Sequence, residues 1–207
     1  TVAPIGWTQL GDDIDGEAYA DNSDIVSLSS DGTIVAFGSA ANDGTDTSAG
    51  HVRVYQYREY TQSDDDNGTY HYTSREQGTT NNKPLIITED TSTAPVVGNS
   101  YWTQFGDDID GEAAYDKSGN SVSLSSDGTI VAIGSIANND PMYPTYNTYA
   151  GHVRVYQRDE SNTTVTPIGW TKLGADIDGE HQNDQSGYSV SLSSDGTIIA
   201  IGGRFND

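Results

Sequence analysis

The stretch Ser121-Val122-Ser123-Leu124-Ser125-Ser126-Asp127-Gly128-Thr129-Ile130-Val131-Ala132-Ile133-Gly134 decides the fold. Residues 121–125 alternate polar and apolar side chains, as in a strand with one buried face. Asp127-Gly128 then reads as a two-residue hairpin turn, with glycine taking the positive φ that such turns need. Thr129–Gly134 is apolar at successive positions, which predicts a central strand covered on both faces.

Working outward, the chain repeats itself. Val-Ser-Leu-Ser-Ser-Asp-Gly-Thr-Ile stands at 26–34, 122–130 and 190–198. Each copy follows a Trp-Thr-x-x-Gly-x-Asp-Ile-Asp-Gly-Glu segment, at 7–17, 102–112 and 170–180. Ala-Gly-His-Val-Arg-Val-Tyr-Gln comes after two of them, at 49–56 and 150–157. Trp102 and Trp170 are 68 residues apart and Trp7 and Trp102 are 95 apart, so the first unit carries 95 − 68 = 27 extra residues, all between Gln56 and Trp102.

Each unit reads as four short strands, exemplified by Ser121–Ser125, Thr129–Gly134, His152–Gln157 and Trp170–Leu173. No window holds a 3.6-residue apolar period, and turn formers punctuate the chain every 8–12 residues. The expected fold is all-β. Four antiparallel strands repeated radially, apolar on both faces because neighbouring sheets stack, make a β-propeller blade. Trp7, Trp102 and Trp170, with Val122, Leu124, Ile130, Ala132, Val153, Val155 and their equivalents, are the expected core. Setting aside the 27 extra residues leaves 180, and 180/68 is about 2.6 blades. Residues 1–101 then hold the end of one blade and a first blade with a long loop at 57–99. Residues 102–169 hold the end of that blade and most of a second, and 170–207 the end of the second and half of a third. Propellers close with about four blades or more, so further repeats or other copies are expected to complete the architecture.

Gly187–Gly202, with the Ala-Gly-His-Val-Arg-Val-Tyr segment of the earlier units, resembles the FG-GAP repeat of integrin-α-type β-propellers, in the form found in surface proteins. The resemblance covers most of the chain except roughly 57–99. Calcium-binding members of that family carry an Asp-x-Asp/Asn-x-Asp-Gly loop between the first two strands. Here the loop is only Ser-Ser-Asp-Gly-Thr, too short to wrap a cation, so the family's calcium site is not implied. Fold resemblance does not fix function, because propellers host many roles.

Composition alone points the other way. The 207 residues include 31 acidic and 9 basic side chains, a net charge of −22, and only 37 Val, Ile, Leu and Phe, about 18%. Such numbers belong with disordered chains. Their placement in recurring strands, with most of the acid in the loops between them, overturns that expectation, although a blade is not expected to be stable singly. No apolar run reaches the roughly 18 residues of a membrane helix, so no membrane insertion is expected. An acidic surface repels phosphate backbones, which argues against nucleic acid. Cysteine is absent, which removes disulfides, thiol catalysis and Cys-ligated zinc. The chain starts at Thr1 without a signal-peptide pattern, consistent with a leader already removed. A lysine-poor acidic surface suits a salty or calcium-rich exterior, so an extracellular or cell-surface location is expected.

Four sets of residues are candidates for function. The fourth-to-first loops place Asp13, Asp15 and Glu17, Asp108, Asp110 and Glu112, and Asp176, Asp178 and Glu180 at alternate positions. Several such carboxylates beside a glycine turn can hold a weak Ca²⁺, in the extracellular range of about 0.1–1 mM. The other reading is a solvated turn. Tyr57, Tyr60, Tyr70 and Tyr72 in the inserted loop are candidate partner contacts, since amphipathic rings lose little entropy on binding; the alternative is a decorative ribbon pairing Thr69–Thr73 with Leu85–Thr88. Asn67 and Asn162 head Asn-x-Thr sequons, candidates for glycosylation in a secreted protein and also common by chance. His51 and His152 are expected to be structural, and Arg53 and Arg154 to pair with acids or stack on tyrosine. The expected function is a non-enzymatic extracellular scaffold for structural assembly or adhesion, contacting other copies, further repeats, glycans or cations. The alternative is a carbohydrate-binding module or polysaccharide-active enzyme on a propeller.

Overall fold

The alternating segments and the apolar segments after them pair as antiparallel strands in all three units of the computed structural model, which describes residues 6, 8–15, 23–42, 47–66, 70–72, 85–87, 94–137 and 149–205. In the first unit these are β1 (Ser23–Leu28), β2 (Ile34–Ser39), β3 (His51–Glu59) and β6 (Ser100–Gln104). Between β3 and β6 lie the five-residue helix α1 (Gln62–Asp66), β4 (Tyr70–Tyr72) and β5 (Leu85–Ile87). After β6 comes the short β7 (Ile109–Asp110). The second unit repeats the scheme as β8 (Ser118–Leu124), β9 (Ile130–Ser135), β10 (His152–Arg158), β11 (Trp170–Lys172) and β12 (Ile177–Asp178). The third contributes β13 (Ser189–Leu192) and β14 (Ile199–Gly202).

The protein is all-β, and α1 is the one helix among the described residues. The sheets run β1-β2-β3-β6-β5-β4, β8-β9-β10-β11 and β13-β14. Consecutive strands of each unit are therefore neighbours, as the four-strand reading requires. β4 and β5 do join as the extra ribbon, but in parallel, with Tyr70 opposite Leu85. The first sheet packs on the second and the second on the third. No closed ring forms among the described residues.

Three expectations change in detail. The turn is longer than two residues: Ser125 N donates to Ile130 O and Gly128 N to Ser125 O, leaving four residues between. Gly128 has φ +69°, as the sequence demands. Next, the loop carrying the acidic repeat is partly strand. β7 pairs with the start of β3 and β12 with the start of β10; in β7 alternation in Asp-Ile-Asp turns Ile109 inward, 1% exposed, whereas Ile177 of β12 pairs in the same register while 41% exposed. Finally, β1 and β8 are irregular, and register slips between Ser23 and Ile25 and between Ser118 and Ser121.

The second strand of a unit serves two layers. Ile34 and Ala36 of β2 pack with Val122 and Leu124 of the next sheet, while Val35 and Phe37 point the other way, toward Tyr55 and Trp102. Trp102 and Trp170 are buried, and Trp7 lies outside the described residues. Of the other expected core residues, Val122, Leu124, Ala132 and Val153 are buried and Ile130 and Val155 half-buried, whereas the equivalents Val26, Leu28 and Ile198 are exposed and lie outside the core, because no further sheet covers them among the described residues.

The joints between sheets have the same form twice. Ser27 Oγ accepts from Leu124 N at 2.9 Å, and Ser123 Oγ accepts from Leu192 N at 3.0 Å. Ser30 N donates to Ser126 O, and Ser126 N to Ser194 O. Each tryptophan indole reaches back to the preceding unit: Trp102 Nε1 donates to Leu10 O at 2.7 Å and Trp170 Nε1 to Phe105 O at 3.3 Å. Glycine lets the backbones touch. A Cβ on Gly38 would lie 2.1 Å from Gly119 O, and one on Gly134 would lie 2.1 Å from Gly187 O. Gly134→Ala should therefore destabilise the protein by about 1–3 kcal/mol or more through overpacking alone, in urea titrations, while Gly6→Ala, with nothing within 4 Å of the added carbon, should change it by less than about 0.5 kcal/mol.

Candidate functional site

Polar groups concentrate at the turns and at the acidic loops, and the repeat places them in matched sets. In the Ser-Ser-Asp-Gly-Thr turn one carboxylate oxygen gathers three donors. Asp127 Oδ1 accepts from Ser125 Oγ at 2.6 Å, Thr129 N at 3.0 Å and Thr129 Oγ1 at 2.8 Å. Asp31 and Asp195 make the same three bonds. The serine hydroxyl in turn accepts from the amide that reopens the strand, Ile34, Ile130 or Ile198. Hydrogen bonds to the charged form lower an acid's pKa. Accordingly the serine, the threonine amide and the threonine hydroxyl hold Asp31, Asp127 and Asp195 below the usual carboxylate range, Asp195 at about 2. These aspartates are turn locks.

The acidic loops also spend their carboxylates locally. The third residue of the Trp-Thr-x segment meets the aspartate four positions on in every unit: Gln9 Nε2 donates to Asp13 Oδ1 at 2.9 Å, Gln104 Nε2 donates to Asp108 Oδ1 at 2.6 Å, and Lys172 Nζ pairs with Asp176 Oδ1. Asp110 and Asp178 lie in β7 and β12, opposite His51 and His152. Glu112 forms an ion pair with Arg154 at 3.3 Å. Asp15, Asp178 and Glu180 are exposed, and Glu17 lies outside the described residues. No three acids or histidines converge in a metal-holding group among the described residues.

Two aspartates missed in reading the sequence organise these loops. Asp116 Oδ2 accepts from Glu112 N at 3.1 Å and Ala113 N at 2.8 Å, and Asp184 Oδ2 accepts from His181 N at 2.8 Å. Both are buried, and burial raises the pKa of Asp116. The available signal was their position, six residues after Asp110 and Asp178. The loop they shape then straps the preceding unit: Ser118 N donates to Ala49 O and Ser186 N to Ala150 O.

His51 and His152 are 1% and 0% exposed. Burial holds their pKa values down, to about 3 and about 4, so both are neutral at pH 7. Arg154 Nη1 donates to Tyr156 Oη and Nη2 to Asp110 O, each at 3.2 Å, and Arg53 sits 6.0 Å from the Tyr55 ring centre. Beside Arg154 a cleft of about 700 Å³ opens between Glu112, Tyr156, Asn162 and Trp170. Its two aromatic side chains are 4% and 1% exposed. A sugar therefore finds no ring face to stack on, and the arginine charge is already met by Glu112.

Of the remaining candidates, Asn162, Tyr57 and Tyr60 are used by the fold. Asn162 Nδ2, the atom a glycan would occupy, donates to Val165 O, Pro167 O and Trp170 O at 2.8, 3.1 and 2.7 Å. Asn67 lies outside the described residues. Tyr60 is 3% exposed against Tyr101, and Tyr57 is half-buried with its ring 5.3 Å from that of Trp102. Those two rings line their own sheet rather than a contact surface. Tyr70 and Tyr72 occupy β4, and the placement of their side chains is outside what is described. No family model matches the chain, and no curated protein matches it.

Two outcomes follow from this geometry. A histidine whose folded pKa lies below its unfolded value of about 6.5 takes up its proton on unfolding, so acid favours the unfolded state. The melting temperature should fall steadily from pH 7 to pH 4, and His51→Gln with His152→Gln should flatten that slope; an unchanged slope would contradict the assignment. Below pH 4 protonation of the turn aspartates should lower stability further. Asn162→Ala should cost about 0.5–1.5 kcal/mol in urea unfolding, the loss expected for exposed and part-buried hydrogen bonds. Asn162 should also remain unglycosylated in mass spectra of protein secreted from eukaryotic cells.

Proposed function

We propose that this chain is a non-enzymatic repeat scaffold, built of blades resembling FG-GAP repeats, that serves structural assembly or adhesion outside the cell. One observation carries the reading: most of the polar groups capable of chemistry recur from unit to unit in closely similar bonding. The aspartates of three turns, the Gln/Lys–Asp pairs of three loops, the buried aspartates of two loops and the two strand histidines all obey the repeat. An active site breaks such symmetry, because one set of groups must meet one substrate.

What the scaffold offers to partners is its acidic loops. Asp13, Asp15, Glu112, Asp178 and Glu180 are their exposed members among the described residues, suited to cations such as Ca²⁺ or to a basic protein surface. The carbohydrate alternative would use the cleft beside Arg154, and the burial of Tyr156 and Trp170 disfavours it. Sedimentation at micromolar concentration tests the assembly reading: species heavier than 22.1 kDa are expected, and a folded monomer at all concentrations would refute it. A thermal melt with millimolar Ca²⁺ and then EGTA tests the cation: a shift is expected, and coincident curves remove calcium from the proposal.

A further inference from the structure

The two outer faces of the sheet stack are the two halves of the joint that the chain makes twice within itself. At the first internal joint the valine and leucine of one sheet bury against the isoleucine and alanine of the sheet before it, and at the second the matching Val190, Leu192 and Ile130 are half-buried over a buried Ala132. At the first joint Val122 and Leu124 are 8% and 7% exposed, with Ile34 at 7% and Ala36 at 0%. The equivalent Val26 and Leu28 of β1 are 60% and 57% exposed, and the equivalent Ile198 beside β14 is 69% exposed.

The smaller fittings are open in the same way. Gly128 lies over the Ile34 side chain, with the position of a Cβ 2.6 Å from Cδ1, and Gly196 lies over Ile130 at 2.5 Å; Gly32 has no such neighbour. Gly11 and Gly106 receive the indoles of Trp102 and Trp170, while Gly174 has nothing within 4 Å. Ser27 and Ser123 hydroxyls accept from the leucine amides of the following sheets. Ser191 holds the same place on the last sheet, and no described amide donates to it.

We infer that a second copy of this chain docks head to tail, the Val26–Leu28 face of one copy on the Ser191–Ile198 face of the other. Leu28 N then donates to Ser191 Oγ, Gly32 lies over Ile198, and Ser194 N donates to Ser30 O. The occupant is a second copy because the surface required on each side is the one the chain already presents on the other, continuous with its internal joint. The contact is heterologous, so repetition of it builds a closed ring where the rotation between copies closes and an open filament where it does not.

One part of the internal joint is missing. The bulge of β8 runs from Ser118 to Ser121, whereas that of β1 runs from Ser23 to Ile25 and is one residue shorter. The first sheet thus has no counterpart of Gly119, the glycine that meets Gly38. The joint between copies is therefore weaker than the internal one, and association is reversible and dependent on concentration.

The inference rests on the assembly reading, and one set of sedimentation runs separates the two. Between about 10 and 500 µM, the range suited to a small reversible interface, the intact chain should shift from monomer toward dimers and longer species. Leu28→Arg and Ile198→Arg replace exposed side chains, so both variants should keep the parent circular dichroism and melt. Each also lowers the net negative charge, so lost association cannot come from added repulsion. Each variant alone should stay monomeric, and an equal mixture should form a dimer of one copy each and nothing longer. If the intact chain stays monomeric, the assembly reading and this joint both fail. If the intact chain associates and both variants do so equally well, assembly stands and this joint is wrong. If only Leu28→Arg blocks association, like faces pair with like, which also overturns the head-to-tail joint.

Discussion

Where one sheet lies on the next, two backbones meet with no side chain between them, and the rest of the structure depends on that contact. Gly38 against Gly119 and Gly134 against Gly187 bring a carbonyl to a place where any Cβ would collide. The approach lets a serine hydroxyl reach a strand amide of the next sheet and lets a thin apolar layer of valine, leucine, isoleucine and alanine close over itself. A four-stranded sheet of this size buries too little alone. Its stability comes from the neighbouring sheets laid on it, which suits a second strand apolar on both faces, and the middle sheet is the one with a described sheet on each side. The strapping of Ala49 and Ala150 by the following loop adds a backbone tie across the same boundary.

Much of this was legible from residues alone. The alternation in Ser121–Ser125, the doubled apolar face of Thr129–Gly134 and the close recurrence of both pointed to the strands, their order and the stacking. Finer features escaped for physical reasons. Asp-Gly is the mark of a two-residue turn, yet the serine hydroxyl of Ser125 takes the amide of Ile130 and widens the turn to four residues. Asp-Ile-Asp reads as an exposed acidic loop because its charge dominates, although it pairs as strand in both units, with Ile109 turned inward in β7. Asp116 and Asp184 were easy to miss because a buried aspartate that caps backbone amides looks, in a sequence, like any other acid in a polar loop, and its recurrence six residues after Asp110 and Asp178 is its one mark.

The candidate sites fared differently from the fold. Repetition made the acids conspicuous, and repetition is also what explains them: most are held by a glutamine, a lysine, an arginine or a turn hydroxyl of their own unit. The same holds for Asn162, whose side-chain amide closes a loop with three bonds. The net charge of −22 is thus partly a structural expense, since aspartate is the side chain that best satisfies hydroxyls and amides at tight turns. The low content of strong apolar residues reflects cores only one residue layer thick between sheets.

If the joints carry the fold, neighbouring sheets must open together. Native-state hydrogen exchange measured across a urea series reads this directly. The amides of β2–β3 and β8–β10 should open in one cooperative step with the same free energy, and β13–β14, covered on one side only, should open earlier at lower cost. Separate opening of β8–β10 while β2–β3 stay protected would show that each sheet stands alone, contrary to the joint's role.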